Sequence, residues 1–376
     1  MQQSKKVIEK LQISRYLTAS TDVTGSISNI ELLVNGLKYS EQILNHWRFT
    51  HSLDKEVDAD FMNFNIKDYV DDPINRINFI HSKPFYEGFK YLFSKTENQR
   101  YHAVLKTIQT ETTGNSNIVD ECLVPHTRKR IFLVTDLITR QAQGFNKFFN
   151  SQRECKIWWM RFSSDPSKYF LDPYDFKEVS DSAHIPTGTQ SITIKSKLPY
   201  AILDVESITF VPLTGAHLDK SVSQHFSKNS DQNIPAVIRS VIDLHAATSA
   251  ILFDSVDNDR ENTLLLNRKL APFQCAVACL NEGEQLSDLK DLYLHLQFVL
   301  KRSGLRLMSE NISGASRKEL DIGLQKCDCL GIPYILIIDE STLMTGLLSL
   351  RSRDTTLEET IHISDIPGYL LQIFSS

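Results

Sequence analysis

Glycine is scarce and widely spaced in this chain of 376 residues. It has 14 glycines, and no two of them lie closer together than Gly323 and Gly331. A phosphate-binding loop needs glycines within a few residues of one another, because a bare backbone must approach the phosphate closely. The sequence therefore has neither a Walker A loop nor a dinucleotide-binding fingerprint. It also lacks the zinc-protease motif H-E-x-x-H and the hydrolase motif G-x-S-x-G.

Excess positive charge, metal-binding cysteine spacings and long apolar runs are missing as well. The net charge is -5, so any contact with nucleic acid must come from a local basic patch. No run reaches the roughly 18 apolar residues that a membrane span needs. The six cysteines show no zinc pattern, and we interpret them as buried thiols in a reducing compartment. We expect no metal, no cofactor and no catalytic residue, although a site assembled from distant residues stays an alternative.

The composition is that of a globular protein, and the clearest pattern lies in residues 266–376. Near-continuous apolar runs at 271–280 and 334–339 predict buried strands. Leucines at helical spacing predict helices at 286–304 and 316–331. Further strands are predicted at 305–310 and 359–364, and a terminal helix at 366–374. This alternation predicts an α/β domain with a mixed five-stranded sheet and helices packed on it.

Residues 1–265 are less regular and predict a separate α+β domain around an antiparallel sheet. Helical patterns occupy 27–47 and 72–93. Strand-like runs occur at 129–138, 155–162, 190–196, 200–213 and 249–255. The polar stretch 254–263 leads to the predicted boundary between the two domains.

Three adjacent cations, Arg128, Lys129 and Arg130, precede an apolar strand. They are either a solvated loop or a set of phosphate contacts, since phosphate binding needs cations and no base-reading groups.

A second basic feature lies in the strand at 346–354. Leu348 and Leu350 should point to one face of this strand, and Arg351 and Arg353 to the other. With Asp354 following, we predict an apolar face over a core and an exposed cationic face. The alternative is a surface ion pair with nearby carboxylates, which would contribute about 0–1 kcal/mol.

The N-terminus carries Lys5, Lys6, Lys10 and Arg15 against a single acid, Glu9. This pattern is weakly similar to a mitochondrial presequence. An amphipathic first helix, with Val7, Ile8 and Leu11 on one face, explains it equally well.

These segments carry a resemblance to a known family. Residues 270–280 and 346–366, "LAPFQCAVACL" and "GLLSLRSRDTTLEETIHISDI", resemble the anticodon-binding domain of class IIa aminoacyl-tRNA synthetases. They are still more similar to the accessory subunits of mitochondrial DNA polymerase, polymerase gamma. "WWMRFSSDPSKYF" at 158–170 is similar to paired aromatics and a turn in the same family.

The resemblance implies a degenerate synthetase-like domain, residues 1–265, followed by an anticodon-binding-like domain, residues 266–376. It implies a non-catalytic processivity factor of the mitochondrial matrix and its nucleoids. The expected partners are the catalytic subunit and double-stranded or primer-template DNA. Arg351, Arg353 and Asp354 are the expected contacts with the polymerase, and the cluster at 128–130 is the expected DNA contact.

The alternatives are a working class IIa synthetase and a tRNA-binding paralogue without catalysis. Class II synthetases hold ATP with an Arg-x-Glu strand and a glycine-rich strand–helix unit. Here Arg161 has no acid behind it, and residues 254–269 contain no glycine.

Vertebrate members of the family dimerise through an inserted pair of helices. No long amphipathic helix pair is evident between Trp47 and Trp158. We therefore expect a monomer, while a homodimer stays open.

Overall fold

A computed structural model describes residues 2–21, 27–52, 57–65, 101–111, 129–174, 187–198, 201–213, 235–256, 263–281 and 286–375. The helices are α1 (Gln2–Ile13), α2 (Val34–Ser52), α3 (Gln141–Met160), α4 (Leu244–Asp254), α5 (Leu286–Arg302), α6 (Arg317–Cys329), α7 (Glu340–Thr345) and α8 (Ile366–Ser375). No helix among these residues is long and apolar enough to cross a membrane.

The first domain is built on a seven-stranded sheet. Its strands are β3 (Val57–Asn65), β4 (Tyr101–Glu111), β5 (Lys129–Arg140), β6 (Tyr169–Tyr174), β7 (Gln190–Lys197), β8 (Ile202–Pro212) and β9 (Pro235–Asp243). They lie in the order β3-β4-β5-β9-β8-β7-β6. Only β3 and β4 pair in parallel, and the other neighbours are antiparallel. The predicted antiparallel-sheet domain is confirmed.

Helices α1 to α4 contribute to one large apolar core on one face of this sheet. Val7, Ile8 and Leu11 of α1 are buried in it, which confirms the amphipathic first helix. A separate hairpin of β1 (Leu17–Thr21) and β2 (Ile27–Leu32) follows α1. The predicted helix at 27–47 is therefore wrong at its start, where β2 lies, and correct from α2 onward.

Two predicted strands of this domain are helices. Residues 155–162 form the end of α3 and the turn after it. The adjacent aromatics Trp158 and Trp159 suggested a strand, but the buried positions Gly144, Phe148 and Gln152 follow the helical repeat. Residues 249–255 lie largely in α4, which is buried along its whole length. A helix buried on all sides shows no polar face, so periodicity could not reveal it.

The second domain has the predicted mixed five-stranded sheet, which is confirmed. Its strands are β10 (Cys275–Leu280), β11 (Ile312–Gly314), β12 (Tyr334–Ile338), β13 (Leu347–Ser352) and β14 (Glu358–His362). Their order is β11-β10-β12-β13-β14. Strand β10 is parallel to β11 and β12, and the remaining pairs are antiparallel. The predicted strand at 305–310 is wrong, since this stretch makes only one bridge, from Leu307 to Cys275.

Both faces of the second sheet are covered by helices. Helices α5 and α8 pack on one face through Leu289, Leu296 and Leu370. Helix α6 packs on the other face through Leu320 and Leu324. The central strands β10 and β12 therefore lie between two layers of helices.

Direct hydrogen bonds join the two domains. The buried Tyr16 hydroxyl donates to the carbonyl of Leu330 at 2.8 Å. The backbone amide of Leu264 donates to the carbonyl of Asp328 at 3.1 Å. The predicted boundary at 265/266 falls between the end of α4 and the start of β10 and stays a prediction. The predicted helix at 72–93 lies outside the described residues.

Candidate functional site

The alternation predicted for β13 is present, but the exposure predicted for its arginines is wrong. Leu348 and Leu350 point into the core beneath α5 and α8. Arg351 and Arg353 point the other way and are also buried, at 9% and 3% exposure. The reason is packing against the end of α6, because Arg351 meets Asp328 there and Arg353 meets the turn that follows the helix.

Each arginine has an internal partner. Arg351 donates two hydrogen bonds of 2.9 Å to the carboxylate of Asp328, at the end of α6. Arg353 donates to the carbonyl of Gly331 at 2.7 Å and to the Asp354 carboxylate at 2.7 and 2.9 Å. The two guanidinium groups thus tie the β13–β14 hairpin to the end of α6. Asp354 is the exposed member of the predicted triad, with 61% of its side chain accessible.

The basic cluster at 128–130 is only partly within the described residues. Arg128 lies outside them, and Lys129 is described at its backbone alone, as the first residue of β5. Arg130 forms an ion pair with Asp243, and its guanidinium carbon lies 5.6 Å from the centre of the Phe132 ring. Asp243 also caps α4 by accepting bonds from the amides of His245 and Ala246. Arg130 therefore links β5 to the start of α4.

The sheet face opposite α1–α4 carries a buried ion pair. Arg239 of β9 lies directly across from Asp136 of β5. Its guanidinium donates two bonds of 2.5 and 2.7 Å to the carboxylate. Both side chains are essentially inaccessible, at 1% and 0% exposure. A guanidinium held in this way is already paired and is not presented to a phosphate.

A second buried carboxylate, Glu206, lies on the helix-covered face. It accepts hydrogen bonds from the indole N–H of Trp159 at 2.7 Å and from the hydroxyl of Ser240. Burial raises the pKa of Glu206, and the hydrogen bonds from Ser240, Trp159 and Cys155 partly oppose this shift. The group fastens α3 to strands β8 and β9.

Glu206→Gln should remove a pH-dependent loss of stability that the wild-type protein carries at neutral pH. The folded-state pKa of Glu206 lies above its ordinary value of 4.5, so the wild-type protein loses stability as the pH rises through that folded-state pKa. Glutamine cannot ionise and escapes this loss. Denaturant unfolding between pH 4.5 and 7.5 should show a difference that grows with pH. Asp204→Asn, at an exposed carboxylate of the same strand, is the control. A loss of stability that is equal at every pH would contradict the prediction.

The described residues contain no cluster of His, Cys, Asp or Glu able to hold a metal. Cys275, Cys279 and Cys327 are buried free thiols, as we interpreted them, whereas Cys155 and Cys329 are half-buried. Burial raises the pKa of the Cys327 thiol to about 12, so it stays protonated at neutral pH. Cys122 lies outside the described residues.

Sequence reasoning missed the residues that hold these elements together. Asp328 and Asp243 are partners of Arg351 and Arg130 that lie far from them in sequence. Asp136 and Arg239 each sit within apolar strands, where a lone charged residue was the available signal of a buried pair.

Comparison with known proteins supplies the identity that the geometry alone does not. Residues 274–373 match the family model described as the anticodon binding domain. The chain is 36% identical to "DNA polymerase subunit gamma-2, mitochondrial" of Drosophila melanogaster, over 93% of this chain and 94% of the relative. It is 27% identical to the Xenopus laevis protein of the same name, over 58% of this chain and 48% of the relative. A glycine–tRNA ligase of Nocardia farcinica is 26% identical over 42% of this chain and 34% of the ligase.

The Drosophila match spans both domains, whereas the ligase match is shorter and less similar. The relation to the synthetases is confirmed by the ligase and by the anticodon binding domain. The working-synthetase alternative is not favoured, because the more similar relatives are polymerase subunits. Their names also support a mitochondrial location. The chain belongs to the family of DNA polymerase subunit gamma-2, the accessory subunit of the mitochondrial DNA polymerase.

Proposed function

We propose that this protein is a non-catalytic accessory subunit that binds the catalytic subunit of the mitochondrial DNA polymerase. In this role it raises the processivity and the DNA affinity of the polymerase during mitochondrial DNA replication. The observation that carries the proposal is the 36% identity to the Drosophila subunit along nearly the full length of both chains. Its site of action would be the matrix, at the nucleoid.

The polymerase would contact the tip of the β13–β14 hairpin in the second domain. Asp354 and Leu357 are exposed there, Leu357 at 71%. Arg351 and Arg353 would act from behind by fixing the hairpin in position, since both are buried. In this proposal the three predicted contact residues serve one interface. Asp354 contacts the polymerase, and Arg351 and Arg353 position the hairpin.

We further propose that the protein is a monomer of 43.0 kDa and forms a one-to-one complex with the catalytic subunit. The support is that the sequence between Trp47 and Trp158 shows no inserted pair of long amphipathic helices beside the pattern at 72–93 and α3, and α3 packs into the core of the first domain. Sedimentation of the free protein at micromolar concentration tests the monomer, and a stable species of twice this mass would refute it.

The function is tested by primer extension with the purified catalytic subunit, with and without this protein. We expect longer products in a single binding event and a complex that survives gel filtration. ATP–pyrophosphate exchange with glycine and tRNA should stay at background. Exchange above background with no effect on extension would favour the synthetase alternative. Tight binding of tRNA with neither activity would favour the tRNA-binding paralogue.

The cluster at 128–130 is proposed as a phosphate-binding site for duplex DNA. Because Arg130 is paired with Asp243, the binding should come mainly from Arg128 and Lys129. Alanine at these two positions should weaken the binding of unrelated duplexes equally. The slope of log affinity against log salt concentration should become shallower by about 0.9 for each DNA phosphate that is no longer neutralised. Arg130→Ala is the comparison. It should lower the melting temperature, while the salt dependence of DNA binding should change little. An unchanged slope in the double variant would mean that the cluster is a solvated loop and makes no phosphate contact.

A further inference from the structure

A groove of about 1010 Å³ lies at the junction of the two domains. One wall is formed by the turn after α1 and the first turns of α2, and the other by α6 and the stretch before β11. Its lining includes Ile13, Arg15, Val34 and Lys38 on the first wall, and Met308 and Ile322 on the second. Among the described residues, neither the hairpin tip nor Arg130 lines this groove.

The two walls are held at a fixed separation. Tyr16, the residue after Arg15, donates its hydroxyl to the carbonyl of Leu330, beside Cys329 in the second wall. The amide of Leu264 bonds to the carbonyl of Asp328 in the same wall. A groove whose walls are already bonded together loses little freedom when it is filled, which favours binding.

Aliphatic side chains are exposed on both walls. Ile13 is 72% exposed, Val34 63% and Ile322 65%. Single exposed aliphatic residues are ordinary, but several that line one concave surface indicate an interaction site. A segment that filled the groove would remove all three from water.

The charge of the groove is positive, although the chain as a whole is negative. Within the described part of the chain, the Arg15 side chain makes no ion pair. Lys38 lies with its ammonium 4.7 Å from the centre of the Phe273 ring. The acids that line the groove already have partners, because Glu310 pairs with Lys326 and Asp328 pairs with Arg351. Among the residues that the structure describes, two cations are thus left without a carboxylate on the first wall.

We propose that this groove docks an acidic, amphipathic segment of the polymerase catalytic subunit. Bulky aliphatic side chains of that segment would cover Ile13, Val34 and Ile322, and its carboxylates would pair with Arg15 and Lys38. This inference rests on the proposed function. It gives the protein a second contact with the polymerase, in addition to the hairpin tip. A nucleic-acid strand fits less well, because strands without pairing partners bind by stacking on aromatic rings. The aromatic ring in the lining, Phe273, already faces the Lys38 ammonium.

The test uses the full chain and the purified catalytic subunit. The charge variant Arg15→Glu with Lys38→Glu should weaken their complex at least tenfold, because like charges would then meet across the interface. The apolar variant Val34→Ser with Ile322→Ser should weaken it several-fold, with a salt dependence like that of the wild type. Arg153→Glu with Lys197→Glu is the matched control, since both residues are exposed and lie outside the groove. Thermal melts verify that every variant is folded.

If the wild-type protein stimulates the polymerase and both groove variants bind it as tightly as wild type does, the inference is overturned and the proposed function stands. Loss of duplex DNA binding in the charge variant, with the polymerase still bound tightly, would also overturn it in favour of nucleic acid. A wild-type protein that neither binds nor stimulates the polymerase would overturn the inference and the proposed function together.

Discussion

Replacing Asp136 by alanine should lower the free energy of unfolding by about 3–5 kcal/mol. The carboxylate is fully buried and receives two hydrogen bonds from Arg239. Its loss leaves a guanidinium in the protein interior with its principal partner removed, and the stability of a whole domain is only about 5–15 kcal/mol. Denaturant unfolding of the purified variant measures the change.

The double replacement Asp136→Leu with Arg239→Met separates structure from function at this pair. Replacing a buried pair by apolar groups of similar volume is often neutral or stabilising, so this variant should recover most of the lost stability. It should also stimulate the polymerase normally, because the pair is closed off from ligands. Asp172→Ala, which removes an exposed partner of Lys195, is the surface control and should cost less than about 1 kcal/mol. A stable double variant without stimulation would show that the pair has a task beyond the fold.

Arg351→Ala should destabilise the protein by about 3 kcal/mol, the lower end of the cost of removing one partner from a buried pair. The side chains of Arg351 and Asp328 are only 11% and 13% exposed. An exposed arginine would instead change stability by less than about 0.5 kcal/mol. The measurement is the melting temperature and the denaturant midpoint, recorded beside the processivity assay.

Adding Asp328→Ala to Arg351→Ala should restore part of this stability, since the carboxylate is no longer left unpaired. The coupling energy calculated from wild type, the two single variants and the double variant isolates the interaction between Arg351 and Asp328. Arg317→Ala is the control, because its partners Asp321 and Glu358 lie in an exposed ion-pair cluster. If Arg351→Ala melts like wild type but fails to support processive synthesis, the arginine acts at the interface rather than in the fold.

The sequence was most informative where burial differs from one face of an element to the other. Helix α5, with Leu289 and Leu296 inward, and the buried strands β10 and β12 were predicted close to their observed bounds. Hydrophobic periodicity is less informative where an element is buried on all sides. The sequence of helix α4, which is buried at every position, therefore predicts a strand. The sequence of α3 does the same at Trp158 and Trp159, where strand-favouring aromatics lie side by side.

The candidate site shows the same limit at the level of single residues. The alternation of leucine and arginine in β13 correctly placed Arg351 opposite Leu350, but it could not show that the end of α6 meets the arginine. The partner, Asp328, is 23 residues away in sequence and comes close only when the sheet and α6 have packed. The groove at the domain junction could not be predicted from the sequence for the same reason, since its walls come from segments far apart in the chain.

The bond between Tyr16 and Leu330 also sets the order in which the molecule can be completed. These residues are separated by 314 positions, so Tyr16 is synthesised long before Leu330. The strands and helices of the first domain can pair with one another as they appear, but the turn at Arg15 and Tyr16 must wait for α6 and the residues after it. Until then the face of α1 and α2 that meets the second domain stays open to water. A chain that stops before residue 330 would keep this face uncovered permanently and would be a natural substrate for chaperones and proteases.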